Sequence, residues 1–441
     1  MMSSRNSGYV LQEVALPSHH ISLSRRRFLA ALSMPLVGAS AAGCSGGGST
    51  PAVIVEPANP WASDFATLAG DVASTHPDPS GVIRSAAWPV KVEKISREAP
   101  AKTDAENIVA GMSLAALLKD EHTRLNVDAS RFARVALQFD SASDGYFARW
   151  SSANCASLLG LKLVAIDGIA VDEVTQRLAE FLSVANRFAL RDQARRWFHS
   201  PEFLHLAGVA QSAAQVSYLL EDASGLRSPA TLAVAQAPAI SIDAIAPVAL
   251  PLWRTQSGRN YFLLDRTPAG SVYVRYRMCA DLPSDPMGAF MARVVAAIKA
   301  SPAPRVVFDL RDNPGGNSGV LKDPLTAARD ALAGALPRTA VLVNNGVYSS
   351  ALINAYDLRQ LFGASSFGEP PGTPPNGSGN YRNFTLPRTG TGWICATRTF
   401  TLDPADTSGV YAPDFAVGTT IADMLAGRDP VLDRAEAWLG G

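Results

Sequence analysis

Arg305-Val-Val-Phe-Asp-Leu-Arg-Asp-Asn-Pro-Gly-Gly316 and Val341-Leu-Val-Asn-Asn-Gly-Val-Tyr-Ser-Ser350 decide the fold. Val306 to Leu310 and Ala340 to Val343 are short, β-branched apolar runs ended by turn formers, so both are expected as buried strands. Each strand delivers a loop to the same sheet edge. The first loop carries Gly315 and Gly316, whose missing side chains let backbone N–H groups approach a ligand. The second carries Ser349 and Ser350 ahead of a helical pattern of Leu352, Ala355, Tyr356, Leu358 and Gln360, with Gly363 as its stop. A serine at a helix N-terminus facing a glycine loop has the makings of a nucleophile beside an oxyanion hole.

Two other readings of the glycine loop are weaker. As a phosphate cradle, Asn313-Pro-Gly-Gly-Asn-Ser-Gly319 lacks the Gly-Lys-Ser/Thr ending and the lysine that meets phosphate. As a plain tight turn it accounts for the glycines but not for the Ser-Ser helix start. Asp309 and Arg311 are expected only to lock the strand end by an ion pair.

The chain has 441 residues, 47% of them hydrophobic and 18% charged, enough for a large core divided among two or three domains. Thirty-nine basic and thirty-nine acidic residues cancel, with no basic block outside the leader, so a nucleic-acid partner is not expected. In the leader, Ser24-Arg-Arg-Arg-Phe-Leu29 precedes an apolar run from Phe28 to Ala42 that is short of the ~20 residues needed to span a bilayer. It reads as an export signal of twin-arginine type. Ala41-Ala-Gly-Cys44 resembles a lipobox, which implies lipidation of Cys44 and a membrane anchor; a plain signal cut near Ala42 is the alternative. Ser45 to Thr50 is expected to serve as a flexible tether.

Cys155, Cys279 and Cys395 then remain, an odd number that cannot be wholly paired in the chain. Cys279 and Cys395 are the candidates for a bridge in an oxidising periplasm. Cysteine and histidine spacings suit no zinc site, and neither a metal nor a cofactor is expected.

Helices are expected from Asp64 to Ile83 and from Thr103 to Lys119, the second capped by Thr103 or Asp104 and burying Ile108, Met112, Ala115 and Leu118. It stops at the polar loop Asp120-Glu-His-Thr-Arg124. Residues 125 to 240 form a separate unit: a strand from Leu159, the turn Asp167-Gly168, a second strand, and a helix capped by Asp172 with Val174, Leu178 and Leu182 inward. Arg187, Arg191 and Arg195 recur every four residues and are expected on a solvated helix face. Gln236 to Pro251, rich in Ala and Pro, reads as a linker. Strands at Tyr261 to Leu264 and Ser271 to Arg277 and a helix from Met287 to Ala300 follow, an alternation that argues an α/β domain.

The motifs "VVFDLRDNPGGNSG" and "VLVNNGVYSSALINAYDLRQLFGASSFGEPPG" resemble the catalytic core of the C-terminal-processing (tail-specific) serine peptidases, nearest the branch with the tricorn core and the retinoid-binding repeats. The nineteen positions from Ser349 to Gly368 match that family's step from nucleophile to "GE(P/T)" strand. The resemblance implies a crotonase-like core over 241–441, a PDZ-like module over 125–240, and an N-terminal helical segment, 51–124, carrying the histidine loop behind the leader 1–50. It implies Ser349 as nucleophile and His122, in a "D-x-H-(T/S)" loop, as general base. Among the other histidines, His19 and His20 go with the leader, His76 precedes Pro77 in a turn, and His199 and His205 lie in a helical stretch. An imidazole suits the role because its pKa lies near neutrality.

The N–H of Gly315 or Gly316, together with that of Ser350, is expected to hold the oxyanion. Bacterial members use a lysine about twenty-five residues beyond the serine; Pro374 stands there, which excludes a Ser-Lys dyad. The third group of tricorn-like members falls near Thr407, and Asp406 is the expected residue, with Asp403 close by. Asp414 is expected to be structural. The resulting expectation is a bacterial, exported serine endopeptidase on the periplasmic side of the envelope, acting on peptides or proteins. A catalytically inactive binding protein for a peptide or apolar ligand on the same fold is the alternative, and an esterase a third.

Overall fold

A computed structural model describes residues 59–235, 240–245, 248–255 and 261–441. The expected export signal, lipobox and Cys44 lie outside them, as does part of the expected linker. The second half of the chain is built on a six-stranded sheet. From one edge its strands run Phe415–Ala416, Ser365–Gly368, Arg338–Val343, Arg305–Asp309, Val272–Tyr276 and Phe262–Arg266; all neighbours are parallel except the last pair.

Alternation along these strands explains the two-sided burial. Val306, Phe308, Val341 and Val343 face the helices Met287–Lys299, Gly319–Ala331 and Ser350–Phe362. Val307, Ala340 and Leu342, the intervening residues, pack against Val431, Leu432, Ala435 and Leu439 of the helix Pro430–Gly440. A strand covered on both faces has to be apolar throughout, which is why these runs read continuously rather than as alternation.

Residues 137–233 fold into an antiparallel sheet of Leu137–Ala142, Gly145–Ser151, Lys162–Ile166, Gln215–Glu221 and Arg227–Ala233. The Asp167-Gly168 turn has positive φ at both residues, 47° and 82°, as a two-residue hairpin of this hand requires. The following helix is Val171–Leu178, so Asp172 lies in its first turn rather than capping it. This sheet shares one apolar core with the N-terminal helices and with Trp393 and Cys395.

Several sequence expectations need correction. The first helix is Pro60–Thr75 and stops there because Pro77 and Pro79 follow; a separate helix, Ala87–Glu98, was not anticipated. Arg191 and Arg195 are not on a solvated face. Arg191 donates to the carbonyl of Gly145 and to that of Ala142, and Arg195 bridges Asp140 and Asp192. Within the expected linker, Ile240–Ser241 pairs with the strand Gly145–Ser151. Cys155, Cys279 and Cys395 are all free; Cys279 hydrogen-bonds Asn313 and Asn354, whereas Cys395 lies beside Thr123, so no bridge joins them.

Candidate active site

The helix Asp104–Ala115 begins on a reciprocal capping box between Thr103 and Glu106. A 3-10 turn, Ala116–Leu118, extends it to Lys119, whose left-handed conformation ends it and releases the loop Asp120 to Thr123. Arg124–Leu125 then joins a three-stranded sheet, Arg124 opposite Ile394 and Leu125 opposite Trp393. The Thr123 hydroxyl accepts from the Ala396 N–H at 3.0 Å. The loop is therefore held by strands that come from the far end of the chain.

Ser349 immediately precedes the helix Ser350–Phe362 and has φ 51° and ψ −124°, an unfavourable conformation for a residue with a side chain. Its hydroxyl lies 2.9 Å from His122 Nε2. Gly315 faces it: a Cβ there would come within 2.8 Å of the Tyr348 carbonyl and 2.9 Å of Ser349 Cβ. Gly316 has φ 136°, and a Cβ there would lie 2.3 Å from the Cys279 carbonyl oxygen. Both positions therefore require glycine.

The amides around Ser349 divide into occupied and open. Gly315 N–H donates to Asn313 Oδ1 at 2.9 Å and Ser349 N–H to Thr373 Oγ1 at 2.6 Å. The expectation that Gly315 could supply an oxyanion N–H is corrected by that occupation; its contribution is the absence of a side chain. Gly316 and Ser350 N–H donate to no group among the described residues. The Ser350 hydroxyl ties the two loops together by donating to the Gly316 carbonyl at 2.7 Å.

Asp406 is not brought to His122. Its carboxylate accepts from Ser408 and from the Gly409 N–H in an exposed turn, which spends it locally. The carboxylate beside the imidazole is Asp120, two residues before His122, with Oδ1 3.6 Å from Nδ1. Asp120 Oδ1 also accepts the His122 main-chain N–H at 2.9 Å. Its other oxygen accepts from Thr123 Oγ1 at 2.7 Å and from His76 Nε2 at 3.2 Å. The His76 tautomer follows from its other nitrogen, which accepts the Asp78 N–H. Among the described residues His122 Nδ1 is buried without a hydrogen-bond partner within 3.5 Å, and Asp120 Oδ1 at 3.6 Å is the carboxylate that faces it.

Burial works against ionising Asp120, but the His122 and His76 imidazoles and the Thr123 hydroxyl outweigh it and hold the carboxyl well below its usual range. Burial likewise opposes charge on His122, yet Asp120 and Glu121 prevail and raise its pKa above 6.5. The Tyr381 ring, 52% exposed, stacks over the imidazole with centroids 6.3 Å apart. Asp120, Glu121 and His122 are also close enough together to suggest metal ligands. Asp120 is, however, committed to three internal donors.

Two structural expectations are realised. Arg311 pairs with Asp309 and Asp429 in full burial, and Asp414 accepts from the main chain and hydroxyl of Ser366. Asp120, His76, Glu121 and Thr373 escaped the sequence reading; for Asp120, its position in the "D-x-H-T" loop was the available signal.

Comparison of structures finds solved proteins of similar fold. Mature CPAF aligns with a TM-score of 0.60 at 13% identity, over 85% of this chain and 96% of that one. The chain is similar in fold to CPAF. CPAF complexed with lactacystin aligns equally well, at 14% identity over 86% of this chain and 98% of that one. The photosystem II D1 C-terminal processing protease aligns more loosely, with a TM-score of 0.41 at 16% identity over 86% and 97% of the two chains. At these identities the likeness to CPAF is one of fold alone. No family model and no curated protein sequence matches it.

Proposed function

We propose that this chain is a serine-type peptidase that cleaves peptide bonds through an acyl-enzyme on Ser349. The observation that carries the reading is the 2.9 Å contact between Ser349 Oγ and His122 Nε2. A binding protein has no need to place an imidazole against a strained serine, and a serine hydroxyl needs such a base to become a nucleophile.

Ser349 Oγ attacks the scissile carbonyl carbon while its proton passes to His122 Nε2. The imidazolium so formed is stabilised by Asp120 and by the neighbouring Glu121 carboxylate. Gly316 and Ser350 N–H groups receive the negative charge that develops on the carbonyl oxygen, each worth about 3 kcal/mol in the transition state. Collapse of the tetrahedral intermediate breaks the C–N bond, and His122 returns the proton to the leaving amine. A water deprotonated by His122 then hydrolyses the ester and restores Ser349.

In this reading the six-stranded sheet with its helices is a crotonase-like core and residues 125–240 a PDZ-like module. The likeness to CPAF and the strand-turn-strand-helix order from Lys162 to Leu178 support it. The leader motifs support twin-arginine export and lipid attachment at Cys44, on the periplasmic side of a bacterial envelope. Incubation of the exported protein with an unfolded polypeptide and mass spectrometry of the products tests the activity. Defined cleavage products that vanish in Ser349→Ala and His122→Ala are expected; equal turnover by both variants contradicts the mechanism.

A further inference from the structure

Ser349 is held at its main chain as well as at its side chain. Its N–H donates to Thr373 Oγ1 at 2.6 Å, and the Thr373 hydroxyl passes its own proton towards Glu121 Oε1, at 2.5 Å. Thr373 is fully buried. Glu121 is the residue before His122, so successive residues of one loop address the two ends of the same serine: His122 its hydroxyl, Glu121 its amide through Thr373.

The segment that carries Thr373 is itself fastened to the serine loop. Gly372 N–H donates to the Val347 carbonyl at 3.2 Å, and the Gly372 carbonyl accepts from Asn186 Nδ2 at 2.9 Å. Tyr348 packs so closely on Gly372 that a Cβ there would lie 2.4 Å from its ring. These contacts set the Thr373 main chain beside the amide whose proton its hydroxyl accepts.

A serine at φ 51° keeps that conformation only where its surroundings over-determine it. We propose that Thr373 and Glu121 are positioning residues that lock the Ser349 main chain in its attacking conformation, an inference that rests on Ser349 being the nucleophile. Thr373 is suited to this because one hydroxyl can accept the amide proton and donate its own at once, while Glu121 offers only acceptors. The relay also commits the Ser349 N–H, which leaves oxyanion stabilisation to Gly316 and Ser350. Burial raises the Glu121 pKa, opposed by His122 and then by the Thr373 hydroxyl.

The test compares acylation of the full chain by a fluorophosphonate in the parent, Thr373→Val, Thr373→Ser and Glu121→Ala. Thr373→Val keeps the side chain's volume and removes its hydroxyl; it is expected to acylate about 10- to 100-fold more slowly, a loss of one to two decades of transition-state positioning. Its acid limb is expected to move less than that of Glu121→Ala, because the Glu121 carboxyl stays beside His122. Thr373→Ser restores the hydroxyl and is expected to acylate within about threefold of the parent. Glu121→Ala is expected to slow acylation and to move the acid limb to lower pH, since Glu121 raises the His122 pKa.

Parental acylation by Thr373→Val, or a Thr373→Ser rate as poor as that of Thr373→Val, overturns the proposal. If Thr373→Val does not fold, Glu121→Ala decides: an unchanged acylation rate overturns it. Failure of the parent itself to acylate on Ser349 refutes the nucleophile instead. In that case a crystal structure of Thr373→Val still reads the positioning: Ser349 leaving positive φ upholds it, and Ser349 unmoved contradicts it.

Discussion

His122 Nε2 and Ser349 Oγ stand 2.9 Å apart although 227 residues separate them in the chain. What brings them together is the short strand Arg124–Leu125, which leaves the His122 loop and pairs with Ile394 and Trp393. The base is consequently delivered by sheet hydrogen bonds on one side of it and by the Asp120 cluster on the other.

Asp120→Asn tests the electrostatic support of the base. Asp120 raises the His122 pKa, so its neutral amide should let that pKa fall. His122 acts as a base only when unprotonated, so activity in the parent should rise with pH through a value above 6.5. In Asp120→Asn that limb should move to lower pH while the plateau rate drops by a factor on the order of 10² to 10⁴. A pH profile of kcat/KM measures both changes.

Gly315→Ala and Gly316→Ala should each abolish measurable turnover. The added methyl meets main chain in both cases, the Tyr348 carbonyl in one and the Cys279 carbonyl at 2.3 Å in the other, and main chain cannot swing aside as a side chain can. Both sites also have positive φ, so the substitution is strained before any clash. Activity and thermal melts of the two variants check the outcome; Gly316→Ala should lose more stability because its clash is tighter.

Arg311→Met is expected to destabilise the fold by about 3–5 kcal/mol, since it leaves two buried carboxylates, Asp309 and Asp429, without their shared cation. Asp309 is further held by Arg275 and the Tyr273 hydroxyl, and despite burial Arg311 and Arg275 depress its pKa to about 2. A depressed carboxylate contributes stability above its unfolded pKa near 3.8 and loses it as pH falls towards 2. Denaturant melts at neutral pH give the loss. Extending them down through this acid window should show a shallower decline in the variant than in the parent.

Thr123→Val tests whether the loop is anchored as the geometry indicates. The hydroxyl donates to Asp120 Oδ2 and accepts the Ala396 N–H, so the valine leaves a buried N–H unsatisfied, at about 1–3 kcal/mol. Amide hydrogen exchange at Ala396 should speed up in the variant, with little change in the parallel sheet.

The parallel core was legible because each strand is apolar on both faces and each loop bears its own punctuation. Val306 to Leu310 and Ala340 to Val343 fell within about two residues of the observed strands, and Gly363 ends its helix as read. Ser349 and His122 were legible as candidates from their loops, whereas their contact depended on long-range pairing. Asp406 was reached by counting along the chain, a procedure that fails when a loop changes length. Asp120 was overlooked although it shares a loop with His122, because a side chain curling back on its own loop leaves no periodic signal. His76 looked like a turn residue; only the fold shows that it donates to Asp120. The arginines at 191 and 195 mimic a surface stripe, since sequence shows spacing and not the carbonyls and carboxylates packed against it.

Labelling with a fluorophosphonate, followed by mass mapping of the modified peptide, tests the central claim most directly. The account predicts a single adduct on Ser349, formed in the parent, absent in Ser349→Ala, and slowed by at least about 10³-fold in His122→Ala. A parent that remains unlabelled, or an adduct that forms as fast without His122, would contradict it.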